Sequence, residues 1–504
     1  MRWQAVRRAR ETLAAEEGAI VKDWGGKLPV ALAYPNSYFV GMSSLGLQTL
    51  YRLCNDRKDV VAERVFWASR DTPASLETQQ PLSHFAVLAV SLSFELDLLH
   101  LVDMLHAAGI PALASERDED APLVLVGGPV ATANPDLIAP LADAVYVGEV
   151  EHTLDRVLDV LLQTAGAPLR ERRSALASCT GMFVPVEAPQ SVQRQWLSDL
   201  DAHPVHSQVL TTDTEFGDMY LIEISRGCPR GCRFCLAGQI YRPMRQRSVD
   251  VILDQAREGL QHRSTIGLVG AAVSDYAGID SLMEGLGALG ARVGVSSLRV
   301  HPLPTSLLRA LAGSGTQTLT LAPEAGSERL RLAVSKGVHE EHILHAAERA
   351  REFGFAQLKL YFMIGLPTET DEDIDSIATL VREVKRRYAR RITVHVTPFV
   401  PKPHTAFERE PMADTATIER RSKRLASALR IAGVTLRTEG AAWSRVQGVL
   451  ARGDQTVGKA LARLAAPSLA GWRRLCQREG IVEEQYLRAR APDEVLPWDV
   501  VACA

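Results

Sequence analysis

The chain has 504 residues, 46% of them hydrophobic and 23% charged, enough for two or three domains with ordinary apolar cores. A formal charge of −3 excludes a global pull toward nucleic acid or anionic membrane, and no run of about 18 apolar residues marks a membrane span. The N-terminal "MRWQAVRRARETLAAEEGAIV" is basic without an apolar core and carries acids, which argues against a transit peptide. A cytoplasmic protein is expected, in which clustered cysteines hold metal more often than they pair as disulfides.

Residues 1–27 read as an N-terminal arm. From residue 28, β-rich and helical stretches alternate: strand "LPVALAYP", helix "LGLQTLYRLCN", strand "FAVLAVSLS", helix "ELDLLHLVDMLHAAG", then "PLVLVGGP" and "DAVYVGEVE". Continuous apolar strands separated by helices predict a parallel sheet covered on both faces. Residues 28–168 are therefore expected to form a doubly wound, Rossmann-like α/β domain with its ligand crevice at the carboxyl ends of the strands. Met42, Ser43, Ser91, Ser93, Gly127, Gly128 and Gly148 fall at those ends, where small residues let a bulky ligand approach the backbone. Glycine and serine also suit any strand-to-helix turn.

Periodicity fades over 169–215, which reads as a connector. Six strands follow over 216–430: "YLIEISRG", "STIGLVGAAVSD", "VGVSSLRV", "TQTLTLAPEAGS", "AQLKLYFMIGLP" and "ITVHVTPFVPKP". Most are followed by helical text, predicting a partial (βα)6 barrel with its chemistry on the loops after the strands. "VKRRYARR" reads as a helix end with a solvated basic face, an RNA contact being the alternative. Residues 431–504 read as a helical C-terminal region, with Trp443, Trp472 and Trp498 as core aromatics and Trp443 or Arg445 as an alternative contribution to a substrate pocket.

Directly after the first barrel strand stands "EISRGCPRGCRFCLAG", which crowds Cys228, Cys232 and Cys235 into one loop of a chain with seven cysteines. Cys54, Cys179, Cys476 and Cys503 have no spacing partner and read as buried or incidental thiols. A structural zinc takes four closed ligands, usually two pairs on separate turns, and a ferredoxin run uses another spacing and a fourth cysteine. Three cysteines on one loop fit a [4Fe–4S] cluster with one iron open to a further ligand.

Cys-x-x-x-Cys-x-x-Cys with Phe234 before its last cysteine, behind a strand, resembles the radical S-adenosylmethionine (SAM) superfamily. The resemblance implies that the three cysteines ligate the cluster and that the open iron takes SAM. It extends along the barrel. "VGAAVSDY" resembles the turn that cradles the SAM amino group, with Ser274 and Asp275 as candidates, although no acid directly follows the glycine. "VSSLRV" resembles the strand that offers Ser297 and Arg299 to SAM, and an arginine fork can clamp a carboxylate. "LAPEAGSERLR" implies Glu324 pointing into the barrel, "FMIGLPTET" an adenine-packing turn at Gly365, and "PFVPKPHTAF" the closing strand. Each of these residues also has an ordinary structural use.

A doubly wound domain ahead of this barrel resembles the cobalamin-dependent branch, through "PNSYFVGMSSLGLQTLY", "SLSFEL", "LVGGPVATANP" and "VYVGEVE". Gly148-Glu149-Val150-Glu151 stands where that branch often has Gly-Glu-Gly-Glu. Asp-x-His-x-x-Gly is absent and His100 reads as a helix-face histidine, so the resemblance implies cobalamin with its base displaced into the sheet crevice. It further implies reductive cleavage of SAM, radical attack on an unactivated carbon and C-methylation. Cyclisation, ring contraction, RNA methylthiolation, or non-catalytic corrinoid or cluster binding are the alternatives. A small-molecule or peptide substrate and a flavodoxin or ferredoxin as electron donor are the expected partners, with neither membrane nor nucleic acid.

Overall fold

The computed structural model describes residues 3–69, 72–185 and 191–502. Residues 186–190 of the expected connector and Cys503 lie outside them.

Strands β1 (Leu28–Tyr34), β2 (Val60–Phe66), β3 (Val87–Ser91), β4 (Leu123–Gly127) and β5 (Ala144–Tyr146) form a parallel sheet in the order β2-β1-β3-β4-β5. A two-residue strand, β6 (Met182–Phe183), adds antiparallel at its edge. Every residue of β1 except Pro29 is buried, because helices cover both faces and leave no polar side for alternation. Helix α1 (Leu45–Asp56) follows β1, α2 (Asp97–Ala107) follows β3, and α3 (Leu154–Gln163) follows β5. The strand order reverses between β1 and β3, the place where a doubly wound sheet opens a ligand crevice. The N-terminal arm is docked rather than loose. Glu16 reaches Arg64 at 2.6 Å, Arg64 reaches Glu77 at 2.7 Å, and all three side chains are fully buried.

The connector is ordered by hydrogen bonds that cross between domains, which leave no periodic trace in sequence. Gln48 of α1 accepts from the Gln208 and Val209 amides at 2.7 and 3.1 Å. Residues 205–207 then run against the first barrel strand, β7 (Tyr220–Glu223), with Ser207 N–H donating to Leu221 and Glu223 N–H to Val205.

β7, β8 (Thr265–Val269) and β9 (Arg292–Val295) form one parallel sheet; β10 (Thr318–Glu324), β11 (Gln357–Ile364), β12 (Arg391–Pro398) and β13 (Val434–Thr438) form another. A parallel bridge between Leu298 and Leu321 joins them into a curved partial barrel. β13 is a strand beyond the six expected and lies inside the region read as helical. Only its Val434 and Leu436 pack against the core, too short an apolar pattern to stand out from the surrounding helices. Helix α4 (Asp371–Arg387) starts with a Thr370–Asp373 capping box and three acids, and ends in Lys385, Arg386 and Arg387, matching both ends of its dipole. Arg386 and Arg387 pair with Glu383, and Arg387 also with Glu348, as a solvated basic helix end should.

The tail packs as core. Helix α5 (Ala441–Arg452) lies against the barrel and first domain, and Trp472 and Trp498 are buried with their indole N–H groups donating to Glu483 and Glu408. Arg445 pairs with Glu483 and Glu484. No helix of the described residues is long and apolar enough to cross a membrane.

Candidate functional site

From β7 the chain passes through a short antiparallel ribbon, Ser225–Arg226 against Arg245–Gln246, into the cysteine loop. Gly227 makes that turn at φ +78°, and a Cβ there would lie 2.4 Å from the Tyr241 carbonyl oxygen, so only glycine fits. The far side of the loop is pinned through Arg233: its N–H donates to Val334, its carbonyl accepts from Phe407, and its guanidinium sits 4.6 Å from the Phe407 ring centroid. Cys232 is buried, Cys228 and Cys235 half-buried, and all three are free thiols. Burial, reinforced by the neighbouring Cys232 and Cys228, pushes the Cys235 thiol up. Thiols that oppose one another's ionisation become ligands when cationic iron offsets the repulsion. Among the described residues no three His, Cys, Asp or Glu side chains are grouped for one metal ion to hold. Three buried or half-buried thiols on one loop are a donor set that fits an iron–sulfur cluster.

Several predicted SAM residues gather beside this loop. Arg230, between the first two cysteines, pairs with Asp275 of the 273–275 turn, and Asp275 pairs with Arg299 at 3.2 Å. Arg299 thus has a carboxylate of its own already, and its Nη2 also donates to the Lys336 carbonyl at 3.4 Å. The buried Ser274 Oγ and Ser225 Oγ have no hydrogen-bond partner among the described residues, which marks polar atoms awaiting one. Glu324 stands at φ +73° beside a register shift in β10 and pairs with Lys336 at 2.8 Å. Phe234 packs into a small apolar cluster with Leu366, Phe399 and Phe407, next to the Gly365 turn. Gly365, at φ +82°, donates its N–H to Glu369 at 2.6 Å. Ser297 is exposed and lines the barrel lumen.

A largely apolar cleft of about 450 Å³ runs from the mouth of the first domain along one face of its sheet, between β1, β3 and β4 and helices α1 and α3. Ser91, Ser93, Gly127, Gly128 and Gly148 line it as expected. Met42 and Ser43 do not. Met42 is buried with its sulfur against Arg64, and the Ser43 hydroxyl bonds Phe39 and accepts from the Glu215 amide; Ser44, Leu45 and Gly46 take their place on the wall. The sequence strings alone could not separate these neighbours, because the short helix Tyr38–Met42 turns the chain just ahead of α1. Cys54, read as a buried or incidental thiol, is buried and also lines the cleft. His100 is hydrogen-bonded to the Pro35 carbonyl and stacked on Trp67, a helix-face histidine in use.

The cleft wall is shared by both domains: Ser225, Arg226, Gly227, Ala237 and Tyr241 of the cysteine-loop region face it. The Glu-Val-Glu of the first domain proves to be the clamp between them. Glu149 pairs with Arg245 at 2.8 Å and Arg226 at 3.1 Å, Glu151 pairs with Arg226, and Arg226 also holds Glu223. Against burial, which opposes charge, the carboxylates of Glu223, Glu151 and Glu149 keep Arg226 well above its ordinary value, and Arg245 and Arg226 keep Glu149 below its own. Val150 interrupts none of these contacts. Neither Arg226 nor Arg245 was legible as a clamp, because pairing across a domain boundary leaves no local pattern in sequence.

A doubly wound domain thus opens its cleft on a three-cysteine loop at the mouth of a partial barrel. Residues 222–381 match the radical SAM superfamily, and residues 46–185 match the N-terminal region of radical SAM proteins. An uncharacterized protein of Methanocaldococcus jannaschii is 32% identical over 86% of this chain and 90% of its own length. The chain belongs to the radical SAM superfamily. An uncharacterized methyltransferase of Pyrococcus horikoshii is 26% identical, over 57% of this chain and 63% of that protein. Among solved structures, the radical SAM methyltransferase TsrM of Kitasatospora setae, with cobalamin and a [4Fe–4S] cluster bound, superimposes with a TM-score of 0.55 at 12% identity. The match covers 90% of this chain and 99% of that one, and the likeness is one of fold.

Proposed function

We infer that the protein is a cobalamin-dependent radical SAM enzyme that methylates an unactivated carbon. The observation that carries this reading is the opening of the first domain's cleft directly onto the cysteine loop, so that two cofactors would meet across one space. Both the Pyrococcus relative and TsrM bear the name methyltransferase, which supports the choice of reaction.

Cys228, Cys232 and Cys235 would hold the cluster, and the strand ends at Gly127, Gly128 and Gly148 would admit the tail of cobalamin. When bound, the cluster would supply the electron for reductive cleavage of SAM and the corrin a transferable methyl group. The chain's own work is placement and shielding. Ser274 and Arg299 are set to orient the amino-acid end of SAM, Phe234 and the Gly365 turn to pack its adenine, and Glu324, fixed by Lys336, presents a carboxylate to the barrel mouth. The Glu149–Arg226–Arg245 clamp holds the two cofactor sites at one separation and closes the cleft to water on that side.

Anaerobic reconstitution with iron, sulfide and hydroxocobalamin tests the reading through optical and paramagnetic spectra and through SAM labelled on its methyl group. Wild-type protein is expected to show a cubane signal and a bound corrin, form 5′-deoxyadenosine and pass the label to a product. Cys232→Ala should lose the cubane signal and keep the corrin. Ala89→Phe, which fills the apolar cleft, should lose the corrin and keep the cubane. Label that never leaves SAM while 5′-deoxyadenosine forms would turn the assignment to a non-methylating radical reaction.

A further inference from the structure

The cleft of the first domain changes character along its length. Its floor is built of paired strand residues: Ser91 beside Gly127 at the strand ends, then Leu32, Ala89 and Leu125, then Val30 beside Val87. Helix α1 turns Gly46, Thr49, Leu50, Leu53 and Cys54 toward it, residues three and four apart that share one helix face. Helix α3 closes the other side with Val157, Leu158 and Leu161. The mouth is polar and the inner part is apolar. Polar groups at the mouth such as Ser44 and Tyr146 have partners, the Leu47 N–H and Thr153.

Thr49 breaks this pattern. It is 5% exposed, and its Oγ1 has no hydrogen-bond partner among the described residues. It does not donate to the carbonyl of Leu45 four residues back, the usual outlet for a threonine inside a helix. Other buried side chains with an unpartnered polar atom are scattered through the protein, but of these only Thr49 and Ser225 line the cleft, and Ser225 stands on the barrel side of its mouth. A hydroxyl enclosed by apolar side chains costs stability until an acceptor reaches it. The inner cleft offers one further polar atom, the sulfur of Cys54. Burial pushes that thiol up to about 12, so it stays neutral and donates only weakly.

These walls suit a flat, mostly carbon group that brings a single acceptor atom. A purine would carry an exocyclic amine and extra ring nitrogens to walls that leave them unpaired. A benzimidazole released from cobalt has one free ring nitrogen and is otherwise apolar. We propose that Thr49 selects the corrinoid by its base, its hydroxyl donating to the free ring nitrogen of a benzimidazole on the nucleotide tail. This deepens the cobalamin reading and rests on it for the presence of the tail in the cleft; the choice among bases does not follow from that reading.

Full-length protein is titrated with cobamides in the cob(II) state that carry dimethylbenzimidazole, adenine or p-cresol as base, and with cobinamide, which has none, with bound corrin measured by absorbance after ultrafiltration. The dimethylbenzimidazole form is expected to bind about tenfold or more tighter than the adenine form. Thr49→Val keeps the volume and removes the hydroxyl. It should weaken the dimethylbenzimidazole form about tenfold and change the p-cresol form and cobinamide less than about threefold, since neither has a ring nitrogen to lose. Thr49→Ser should hold the dimethylbenzimidazole form within about threefold of wild type. Without corrinoid, Thr49→Val should melt no lower than wild type, because the hydroxyl it removes has no partner; Thr49→Ala is a second variant lacking the hydroxyl. Equal binding of the adenine and dimethylbenzimidazole forms overturns the selection. So does a Thr49→Val loss that extends to the p-cresol form and cobinamide, or no loss at all. Wild-type protein that binds none of the four would instead sink the cobalamin reading itself.

Discussion

Glu369, in the Gly-Leu-Pro turn that packs beside Phe234, shows what burial does to one side chain. It accepts the Gly365 N–H at 2.6 Å and pairs with Arg421 at 2.7 Å, yet burial raises its carboxyl to about 7. Folded protein therefore keeps a proton here up to about pH 7, whereas the unfolded chain releases it near 4.5. The group's contribution to stability is full below the unfolded value and lost as pH rises through the folded one. Melting curves at pH 5 and pH 8 should show wild type losing more stability across that interval than Glu369→Gln. Equal slopes would mean that Arg421 keeps the carboxylate charged throughout. Because Glu369 holds the Gly365 N–H, the same variant reports how far that turn depends on the carboxyl.

At the scale of an element, the cysteine loop owes its shape to its flanks more than to the cysteines. Gly227 at φ +78° and the Arg233–Phe407 contact hold it at both ends. Gly227→Ala would drive a methyl group into the Tyr241 carbonyl. It should leave both sheets intact by circular dichroism while cutting iron incorporation at least tenfold, a strain effect of about 1–3 kcal/mol acting on ligand geometry. Normal iron loading in that variant would show that the loop reorganises freely. Capped helices such as α4 need no such help, since the Thr370–Asp373 box and the terminal charges specify both of its ends.

Across the whole molecule, the strings that resemble the cobalamin-dependent branch prove to be largely interface. Glu95 of "SLSFEL" pairs with Lys402 of "PKPH" and accepts from Gln447 of α5, and the surrounding Lys402 and Gln447 hold its buried carboxyl below the usual range against the opposing effect of burial. Asn134 donates to the Ala451 and Gly453 carbonyls, and His404 bonds the Ala133 carbonyl. First domain, barrel and tail are thus latched at several points, with Glu149–Arg245 on the cleft side. Removing one partner of a buried pair leaves an uncompensated charge and costs about 3–5 kcal/mol. Glu149→Ala is therefore expected to lower the first unfolding transition and to expose the connector to limited proteolysis, with the isolated folds retained. An unchanged protease pattern would show that the latch around Glu95 suffices alone.

Most strands and helices, the partial barrel and the cysteine loop were legible because each is written locally: apolar runs bounded by turns, and three thiols at fixed spacing behind a strand; β2 was not, since Glu63 and Arg64 break its apolar run and are buried only by partners elsewhere in the chain. Ser91, Gly127 and Gly148 were legible as cleft residues for the same reason, since strand ends are local. The strand β13, the ordered connector and the displacement of Met42 and Ser43 from the cleft were not, because their positions depend on hydrogen bonds to residues far away in sequence. The roles of Arg226 and Arg245 belong with them. An arginine reads the same whether it is solvated or paired across a domain boundary, and only the packed chain fixes which carboxylates come within reach. Local pattern determined the elements and the three-cysteine loop of this protein; long-range packing decided which charges meet.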